Sequence, residues 1–287
     1  MSQNMANIHQ VKLEMCDIGK RIWMKGYCAG NEGNHSVRIS DDRVLCTPTG
    51  LSKGFLTPDM LTMVDMDGNQ VDKANKFKRT SEVLLHLAIY KKRPDVRAVV
   101  HSHPPHATAF AVANIPIPEG IHPEAEVFLG KVLTAPYVTP GYLELGQGVC
   151  KLIDSESNTI MLANHGSVTF APQLIDAYYK LEILDAYCRI LLLCAQLGKV
   201  RPLSQDQMVK LLEVKQKFGF KDSRLACAPS GCIGQENDEF LAMFDDGQLM
   251  SKSQTQSAVT PSADSIDEAT FEQLVQSITN QIMAVAK

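Results

Sequence analysis

The chain has 287 residues, of which 45% are hydrophobic and 21% are charged, and its formal net charge is -4 at pH 7. This is the composition of an ordinary soluble globular protein with one main domain. The lack of a basic excess argues against nucleic acid or an anionic membrane as the primary partner. Apolar runs such as residues 190–195 are far shorter than the roughly 20 residues of a membrane span, so we predict no span.

The cysteines are scattered along the chain, and no two of them form a C-x-x-C pair. The N-terminal residues show no charged start followed by an apolar signal core. Both features predict reduced thiols in a cytoplasmic protein. The cysteines are Cys16, Cys28, Cys46, Cys150, Cys188, Cys194, Cys227 and Cys232.

Residues 8–28 carry apolar side chains at a loosely helical spacing that ends at Gly26, which predicts an opening helix. Two loops rich in small and polar residues follow, at residues 28–33 and 47–50, and each adjoins a predicted strand. Such loops can turn several backbone N–H groups towards an anion. A plain turn between strands is the ordinary explanation of either loop alone. Residues 61–72 predict a hairpin that turns at Asp67-Gly68.

The sequence Thr80-Ser81-Glu82 opens a predicted helix that continues to residue 90. A Thr or Ser before the first apolar turn is a helix N-cap, and the helix dipole favours a Glu in the first turn. Glu82 therefore has an ordinary structural explanation. The same helix start, with two hydroxyl groups and free N–H groups, is also suited to holding a phosphate.

An apolar run at residues 98–100 predicts a buried strand that leads into His101-Ser102-His103. Because side chains alternate along a strand, His101 and His103 project to the same face. Two imidazoles placed in this way can occupy two corners of a Zn²⁺ site, and a third ligand must then come from elsewhere in the fold. The alternative is a pair of exposed or hydrogen-bonded histidines at a strand end.

A third histidine follows at a second strand end. Residues 158–170 predict two strands that meet at Asn164-His165-Gly166, and a histidine at that turn is well placed to complete the ligand set. The stretches around it predict a short helix at residues 104–114, an extended segment at 132–139 and a long helix at 172–197. The side chains of Tyr178 and Tyr187 on the long helix are expected to belong to its packing.

Five motifs occur in order along the chain: GNHSVR at residues 33–38, TPTG at 47–50, TSE at 80–82, VVHSHPPHATA at 99–109 and LANHG at 162–166. In this order and at this spacing they resemble the class II aldolase/adducin family over about residues 8–200, most closely its zinc-dependent L-fuculose-1-phosphate aldolases. The resemblance implies an α/β fold, a three-layer α/β/α sandwich with a central, mostly antiparallel sheet, and a homotetramer with active sites between subunits. The family also contains epimerases, dehydratases, decarboxylases and a non-catalytic cytoskeletal branch, so fold implies family more securely than it implies reaction.

The resemblance also assigns site residues. His101, His103 and His165 correspond to the family's zinc ligands, with one Zn²⁺ per subunit. Glu82 corresponds to its metal-binding acid, which moves the proton during catalysis. The residues that correspond to its phosphate pocket are Gly33, Asn34, Ser36, Thr49, Gly50, Thr80 and Ser81.

The implied reaction cleaves a deoxyketose 1-phosphate, either L-fuculose 1-phosphate or L-rhamnulose 1-phosphate, to dihydroxyacetone phosphate and L-lactaldehyde. Such a step belongs to fucose or rhamnose degradation. Glu82 favours an aldolase because the related ribulose-phosphate 4-epimerases carry Asp at this position. A sugar-phosphate epimerase or dehydratase, and a non-catalytic adducin-like structural protein, stay open as alternatives.

The chain departs from the aldolase pattern at the end of the site that handles the aldehyde. Pro123 stands where the family has one tyrosine, and no tyrosine follows Tyr187 to match a second. Three side chains can take over this role or be ordinary loop residues. They are His122, Glu124 and Glu126.

The chain continues beyond the usual end of the family domain. We predict that the family domain and an extension from about residue 200 together span residues 1–245, with a helix at 207–218. Residues 246–264 are polar and rich in Ser, Thr and Gln, which predicts a flexible linker. Residues 265–287 begin with a capping-box pattern and continue with apolar side chains at helical spacing.

An amphipathic helix after a flexible linker needs a partner surface for its apolar face. Lys287 is the only basic residue within 265–287, which makes a membrane surface a poor partner. The arrangement resembles the encapsulation peptides that bring enzymes into bacterial microcompartments through a shell protein, and it predicts that location. Docking on the protein's own core or tetramer, or an inert tail, are the alternatives.

Overall fold

A seven-stranded sheet forms the centre of the computed structural model, which describes residues 2–245. The strand order is β3-β2-β1-β4-β7-β6-β5, and every neighbouring pair is antiparallel except β5 and β6. The predicted mostly antiparallel sheet is therefore confirmed. The strands are β1 (Asn34–Ser40), β2 (Arg43–Cys46), β3 (Thr62–Val64), β4 (Ala98–Ser102), β5 (Leu133–Ala135), β6 (Thr159–Leu162) and β7 (Gly166–Ala171).

Helices cover both faces of this sheet, which confirms the three-layer α/β/α sandwich. Helices α2 and α5 pack on one face, and helices α1, α3, α4 and α6 pack on the other. The helices are α1 (Ser2–Met24), α2 (Val83–Lys92), α3 (Pro105–Ala113), α4 (Pro123–Phe128), α5 (Leu143–Leu152), α6 (Leu174–Leu197), α7 (Gln205–Lys217) and α8 (Asp238–Asp245).

Strand β4 lies in the middle of the sheet and shows the alternation predicted for it. Ala98 and Val100 belong to the core beneath α1 and α6, whereas Val99 belongs to the core beneath α2. Because the side-chain period of a strand is two residues, His101 lies on the face of Val99. The sheet thus turns His101 towards the layer that contains α2.

Of two strand pairs predicted from the sequence, one is complete in the structure and the other is partial. The two strands over residues 158–170 are observed as β6 and β7. The predicted hairpin over 61–72 has β3 as its first strand, and the chain returns past Gly68 through a single bridge between Val64 and Gln70. The second half of this hairpin is too short to form a strand of its own.

The predicted extension packs against the helices on one face of the sandwich. Phe240 of α8 lies 6.3 Å from Phe110 of α3, measured between ring centroids. Arg224 forms ion pairs with Glu119 and Glu126, and both carboxylates are buried. Helix α7 begins with a capping box at Ser204, close to the predicted helix start.

The prediction that all cysteines are reduced thiols is wrong for one pair. Cys227 and Cys232 form a disulfide, and the other six cysteines are free thiols. The Cα atoms of the pair lie 5.7 Å apart because the intervening residues turn at Ala228–Ser230 and Gly231. This distance is within the range that a disulfide requires, and the sequence pattern alone does not show the turn.

The predicted linker (246–264) and amphipathic helix (265–287) lie outside the described residues. Within residues 2–245, no helix combines the length and the apolar character that a membrane crossing requires.

Candidate functional site

Three histidines meet at the ends of β4 and β7. His101 lies within β4, His103 follows directly after it, and His165 lies in the turn between β6 and β7. The antiparallel register pairs His101 with Val168, so the turn that carries His165 lies beside the end of β4. The long-range strand pairing therefore assembles the set that the sequence predicted from two separate motifs.

The β6–β7 turn approaches the end of β4 closely. A Cβ atom at Gly166 would lie 2.6 Å from Cδ2 of His103 and 2.8 Å from the carbonyl oxygen of Ser102. The preceding Asn164 has a positive φ of 54°, a conformation that Asn tolerates better than most residues. The Asn-His-Gly sequence is thus what lets His165 reach the other two rings.

The three imidazoles can offer one ligand atom each to a common point. These atoms lie within 4.8 Å of one another, and Nε2 of His101 is 3.1 Å from Nε2 of His103. This set, His101, His103 and His165, is called the histidine cluster below. Three convergent imidazole nitrogens with an open fourth position are the usual donor set of a catalytic zinc site.

Neighbouring groups orient two of the rings. Nδ1 of His101 lies 2.9 Å from the carbonyl oxygen of Ser167, which favours a proton on Nδ1 and leaves Nε2 as the ligand atom. Nδ1 of His103 lies 3.4 Å from a carboxylate oxygen of Glu32, and that oxygen accepts a hydrogen bond from the backbone N–H of Ala29. No motif in the sequence singled out Glu32, although it lies in the loop at residues 28–33. Its acidic side chain beside a predicted metal site was the available signal.

Burial keeps His101 and His165 neutral. Desolvation, reinforced by the neighbouring His103, lowers the pKa of His101 to about 3. Desolvation and the neighbouring His101 lower the pKa of His165 to about 4, with Glu82 acting in the opposite direction. Neutral imidazole is the form that binds metal ions, so these two rings are in their ligating form at pH 7.

Glu82 faces the histidine cluster from the start of α2. Its Oε2 atom lies 3.5 Å from Nε2 of His101 and 3.9 Å from Nε2 of His165. Its Oε1 atom accepts a hydrogen bond of 3.3 Å from the side-chain amide of Asn34. The carboxylate is thus held at one oxygen, and the other points to the meeting point of the imidazoles.

The predicted N-cap at Thr80 or Ser81 is wrong by one or two residues, because Glu82 itself occupies the N-cap position of α2. Its side chain makes no capping hydrogen bond. Instead, the hydroxyl of Thr80 accepts a 3.3 Å hydrogen bond from the backbone N–H of Glu82. The Glu82 carboxylate is therefore free for the site.

The residues fit a divalent metal ion. Glu82 Oε2 is buried and has no hydrogen-bond partner among the described residues, which is costly for a carboxylate oxygen without a cation nearby. Three neutral imidazoles and one carboxylate suit Zn²⁺, and they also accept Co²⁺, Mn²⁺ or Fe²⁺. The four candidate ligands predicted from the sequence are thus brought together at one place.

The predicted phosphate residues lie on three segments that backbone hydrogen bonds connect. The N–H of Thr47 donates to the carbonyl of His35, next to Asn34 on β1, and the N–H of Thr80 donates to the carbonyl of Thr47. A further bond joins Thr49 to Lys78. Six of the predicted phosphate residues lie on these segments, and this set is called the anion pocket below after its predicted role: Gly33, Asn34, Thr49, Gly50, Thr80 and Ser81.

The anion pocket combines buried and open groups. Asn34 and Thr80 are buried, whereas Thr49, Gly50 and Ser81 are exposed. Both of its glycines have positive φ angles, 69° at Gly33 and 74° at Gly50, which favour glycine. The exposed groups thus lie on segments that are bonded to the strand of Asn34, whose side-chain amide also donates to Glu82.

Ser36 lies apart from these exposed groups. Its hydroxyl is fully buried and lies 2.7 Å from Nδ1 of His86 and 2.8 Å from the hydroxyl of Tyr90. These bonds join β1 to α2 behind the Asn34–Glu82 contact. We therefore leave Ser36 out of the anion pocket and regard it as a residue that holds α2 against the sheet.

The three candidates for the aldehyde end lie outside the histidine cluster. The ring of His122 stacks on Tyr187 at 5.8 Å, and Nε2 lies 3.4 Å from the exposed Glu124. Glu126 is buried, accepts a hydrogen bond from the Gly120 N–H and pairs with Arg224. Tyr187 is buried and donates to the carbonyl of Pro118, as its predicted packing role requires.

The α/β/α sandwich is the fold of solved class II aldolases. Residues 13–192 match the family described as Class II Aldolase and Adducin N-terminal domain. A solved structure of an L-fuculose 1-phosphate aldolase superposes with a TM-score of 0.65 at 26% identity and covers 74% of this chain and 97% of that one. The chain belongs to the class II aldolase and adducin family.

Its curated relatives include two kinds of enzyme. An L-fuculose phosphate aldolase from Methanocaldococcus jannaschii is 37% identical over 182 residues, which cover 63% of this chain and 96% of the relative. A 3-oxo-tetronate 4-phosphate decarboxylase from Haemophilus influenzae is 35% identical over 219 residues, which cover 74% of this chain and 100% of that relative. These two relatives are thus an aldolase and a decarboxylase.

Proposed function

We propose that this protein is a metal-dependent aldehyde-lyase that cleaves a deoxyketose 1-phosphate to dihydroxyacetone phosphate and an aldehyde. One observation carries the proposal. Glu82 Oε2 and the histidine cluster converge, and Asn34 connects this point to the anion pocket. A phosphorylated substrate can therefore span both parts. The aldolase from Methanocaldococcus jannaschii supports the same reaction type.

A bound divalent ion, in our proposal Zn²⁺, would stabilise negative charge on the ketose oxygens as a Lewis acid. His101, His103, His165 and Glu82 would hold it. Glu82 then acts as the proton carrier at the carbon released by C3–C4 cleavage. Asn34 keeps one carboxylate oxygen in place while the other points to the histidine cluster, where the reacting carbon would lie.

The anion pocket would bind the 1-phosphate and fix the reacting carbons relative to Glu82. The exposed hydroxyls of Ser81 and Thr49 and the backbone N–H of Gly50 provide donors at its exposed end. A substrate held in this way has already lost much of its freedom of motion on binding. Less entropy is then lost on reaching the transition state, and this contributes part of the rate. L-fuculose 1-phosphate and L-rhamnulose 1-phosphate, each yielding L-lactaldehyde, are the substrates that we propose.

A second candidate reaction is decarboxylation of a 4-phosphorylated 3-oxo acid. Two observations favour it: the Haemophilus influenzae relative, and the missing tyrosines at the aldehyde end. Loss of CO₂ also leaves an electron pair beside a carbonyl, but it needs no group to handle an aldehyde oxygen. Under this alternative, Glu82 would supply the proton that replaces CO₂.

One set of assays separates these reactions. The metal-loaded protein is given L-fuculose 1-phosphate, L-rhamnulose 1-phosphate and 3-oxo-tetronate 4-phosphate, and release of dihydroxyacetone phosphate or CO₂ is followed. Metal-dependent release of dihydroxyacetone phosphate from L-fuculose 1-phosphate or L-rhamnulose 1-phosphate that is lost in Glu82→Gln supports the aldolase. Release of CO₂ from 3-oxo-tetronate 4-phosphate, with dihydroxyacetone phosphate as its co-product and no cleavage of either sugar 1-phosphate, supports the decarboxylase. Neither product from a protein that holds metal would contradict both and favour epimerase or dehydratase chemistry.

We also propose that the protein is a homotetramer and that residues 265–287 bind a microcompartment shell protein. The support is the family resemblance and the amphipathic pattern of that segment. Light scattering measures the oligomeric state. Truncation after residue 264 should leave turnover unchanged and abolish co-sedimentation with shells. A large loss of turnover would instead assign the segment to the enzyme itself.

A further inference from the structure

Lys53 is a buried cation beside the proposed site. It begins a short 3-10 segment, Lys53–Phe55, and only 1% of its surface is exposed. The neighbouring Gly54 packs against Trp23 of α1 so closely that a Cβ atom there would lie 2.5 Å from the indole. The backbone around Lys53 is therefore fixed against α1, and the lysine side chain has little freedom to leave the interior.

The ammonium group of Lys53 connects the loop that precedes Gly33 with the loop that contains Gly50. Nζ donates a hydrogen bond of 2.8 Å to the carbonyl of Asn31 and one of 2.5 Å to the carbonyl of Leu51. Asn31 lies two residues before Gly33, and Leu51 directly follows Gly50. An ammonium group has three N–H donors, so one donor remains beyond these two bonds.

No carboxylate of residues 2–245 lies within ion-pair distance of Lys53. Burial of a cation without a counter-ion is unfavourable. Burial accordingly lowers the pKa of Lys53 to about 8, while the negative charge of Glu82 and the thiol of Cys28 act in the opposite direction. An anionic ligand in the adjoining pocket would supply the missing counter-charge.

We propose that Lys53 is the specificity residue that makes the anion pocket selective for a phosphate group. Its charge attracts the phosphate dianion, and its two carbonyl contacts hold the loops at the spacing that the phosphate needs. The family resemblance assigns no role to this lysine. The inference rests on the proposed function only for the identity of the phosphorylated substrate.

The test compares Lys53→Met, which removes the charge, with Lys53→Arg, which keeps it, and with Lys20→Met, an exposed lysine of α1 as matched control. Calorimetry with inorganic phosphate and with dihydroxyacetone phosphate measures anion affinity of the metal-loaded proteins. Visible absorption of Co²⁺-loaded protein measures binding of dihydroxyacetone, which has no phosphate. Metal content and melting temperature are recorded for every variant.

We expect Lys53→Met to weaken both phosphate ligands by about tenfold or more, because it removes a charge-assisted contact from a buried site. Dihydroxyacetone affinity should stay within about twofold, and Lys53→Arg should retain most of the phosphate affinity. If Lys53→Met is too unstable to purify, Lys53→Gln carries the same comparison, since it donates to a carbonyl without charge.

Equal weakening of dihydroxyacetone and dihydroxyacetone phosphate would reduce Lys53 to a structural role and overturn the proposal. Unchanged phosphate affinity in Lys53→Met would also overturn it. The outcome is separable from that of the proposed reaction. A protein that cleaves neither sugar phosphate but binds phosphate through Lys53 refutes only the reaction, and a normal aldolase with unaffected Lys53→Met refutes only the assignment of Lys53.

Discussion

The metal end and the anion end of the candidate site are built in different ways. The histidine cluster lies on paired strands and their connecting turn, and two of its rings are oriented by Ser167 and Glu32. The anion pocket lies on loops and a helix start, and backbone hydrogen bonds through Thr47 connect them. Strand pairing places side chains at fixed spacing, whereas loop geometry depends on contacts from distant parts of the chain.

This difference assigns different tasks to the two ends. A metal ion requires donor atoms at defined distances and angles, which a sheet supplies. A phosphate accepts many hydrogen bonds in many arrangements, which backbone N–H groups in loops supply. Glu82 and Asn34 lie where the two ends meet, so changes there should affect both.

The largest effect is expected at this junction. Glu82→Gln keeps the size of the side chain but removes its ability to carry a proton, so turnover should fall by about 10²- to 10⁴-fold. Product release from the sugar phosphate measures it, with metal content measured in parallel. Glu144→Gln, at an exposed position of α5, is the matched control. Full activity in Glu82→Gln would remove the proton-carrying role from this residue.

The second-largest effect is expected at the metal end, when the carboxylate beside His103 is removed. Glu32→Gln should weaken metal affinity by about 10- to 100-fold, because the carboxylate beside Nδ1 orients the ring and strengthens its other nitrogen as a ligand. Competition with a coloured chelator measures the affinity. Glu213→Gln, an exposed position on α7, should have no effect. An unchanged affinity in Glu32→Gln would show that the strands alone hold the ring.

His35, which lies next to Asn34 on β1, should make the folded protein less stable in acid. His35 is fully buried, its Nε2 lies 2.8 Å from the carbonyl of Met15, and burial lowers its pKa to about 4. In the unfolded chain His35 has its ordinary pKa near 6.5 and takes up a proton below that pH, whereas in the folded chain it stays neutral down to about pH 4. The free energy of unfolding therefore decreases as pH falls from 6.5 towards 4. This term should remove about 2 kcal/mol between pH 7.5 and pH 5.0.

Urea unfolding at the two pH values measures the His35 term. His35→Gln should reduce the loss of stability between pH 7.5 and pH 5.0, whereas His9→Gln, at an exposed position, should leave it unchanged. The same loss in wild type and His35→Gln would assign acid sensitivity to other groups, such as the histidine cluster without its metal.

The smallest effect is expected at the exposed end of the anion pocket. Ser81→Ala removes one exposed hydroxyl donor and should raise KM for the phosphorylated substrate by about 3- to 10-fold, with kcat little changed. Steady-state kinetics measures both constants. Ser155→Ala, at an exposed position far along the sequence, is the control. A fall in kcat without a change in KM would place Ser81 at the reacting carbons instead of the phosphate.

Local patterns predicted the parts of the molecule that depend on side-chain periodicity. The apolar run before His101, the two strands around His165 and the long helix α6 were all identified from the spacing of apolar residues. The helix start at Glu82 was misplaced, because a free N-cap carboxylate and a capping hydroxyl give the same sequence pattern. The disulfide between Cys227 and Cys232 was missed because it depends on a turn that the pattern does not specify.

The sequence by itself determined the chemical character of the site: three imidazoles, one carboxylate and loops rich in small and polar residues. Its ordered motifs also determined the family. Only the tertiary structure decided which groups support them. Glu32 approaches His103, Lys53 connects Asn31 with Leu51, and Ser36 turns into the interior, through contacts between residues far apart in the chain. Such contacts follow from strand register and helix packing, which no local pattern specifies.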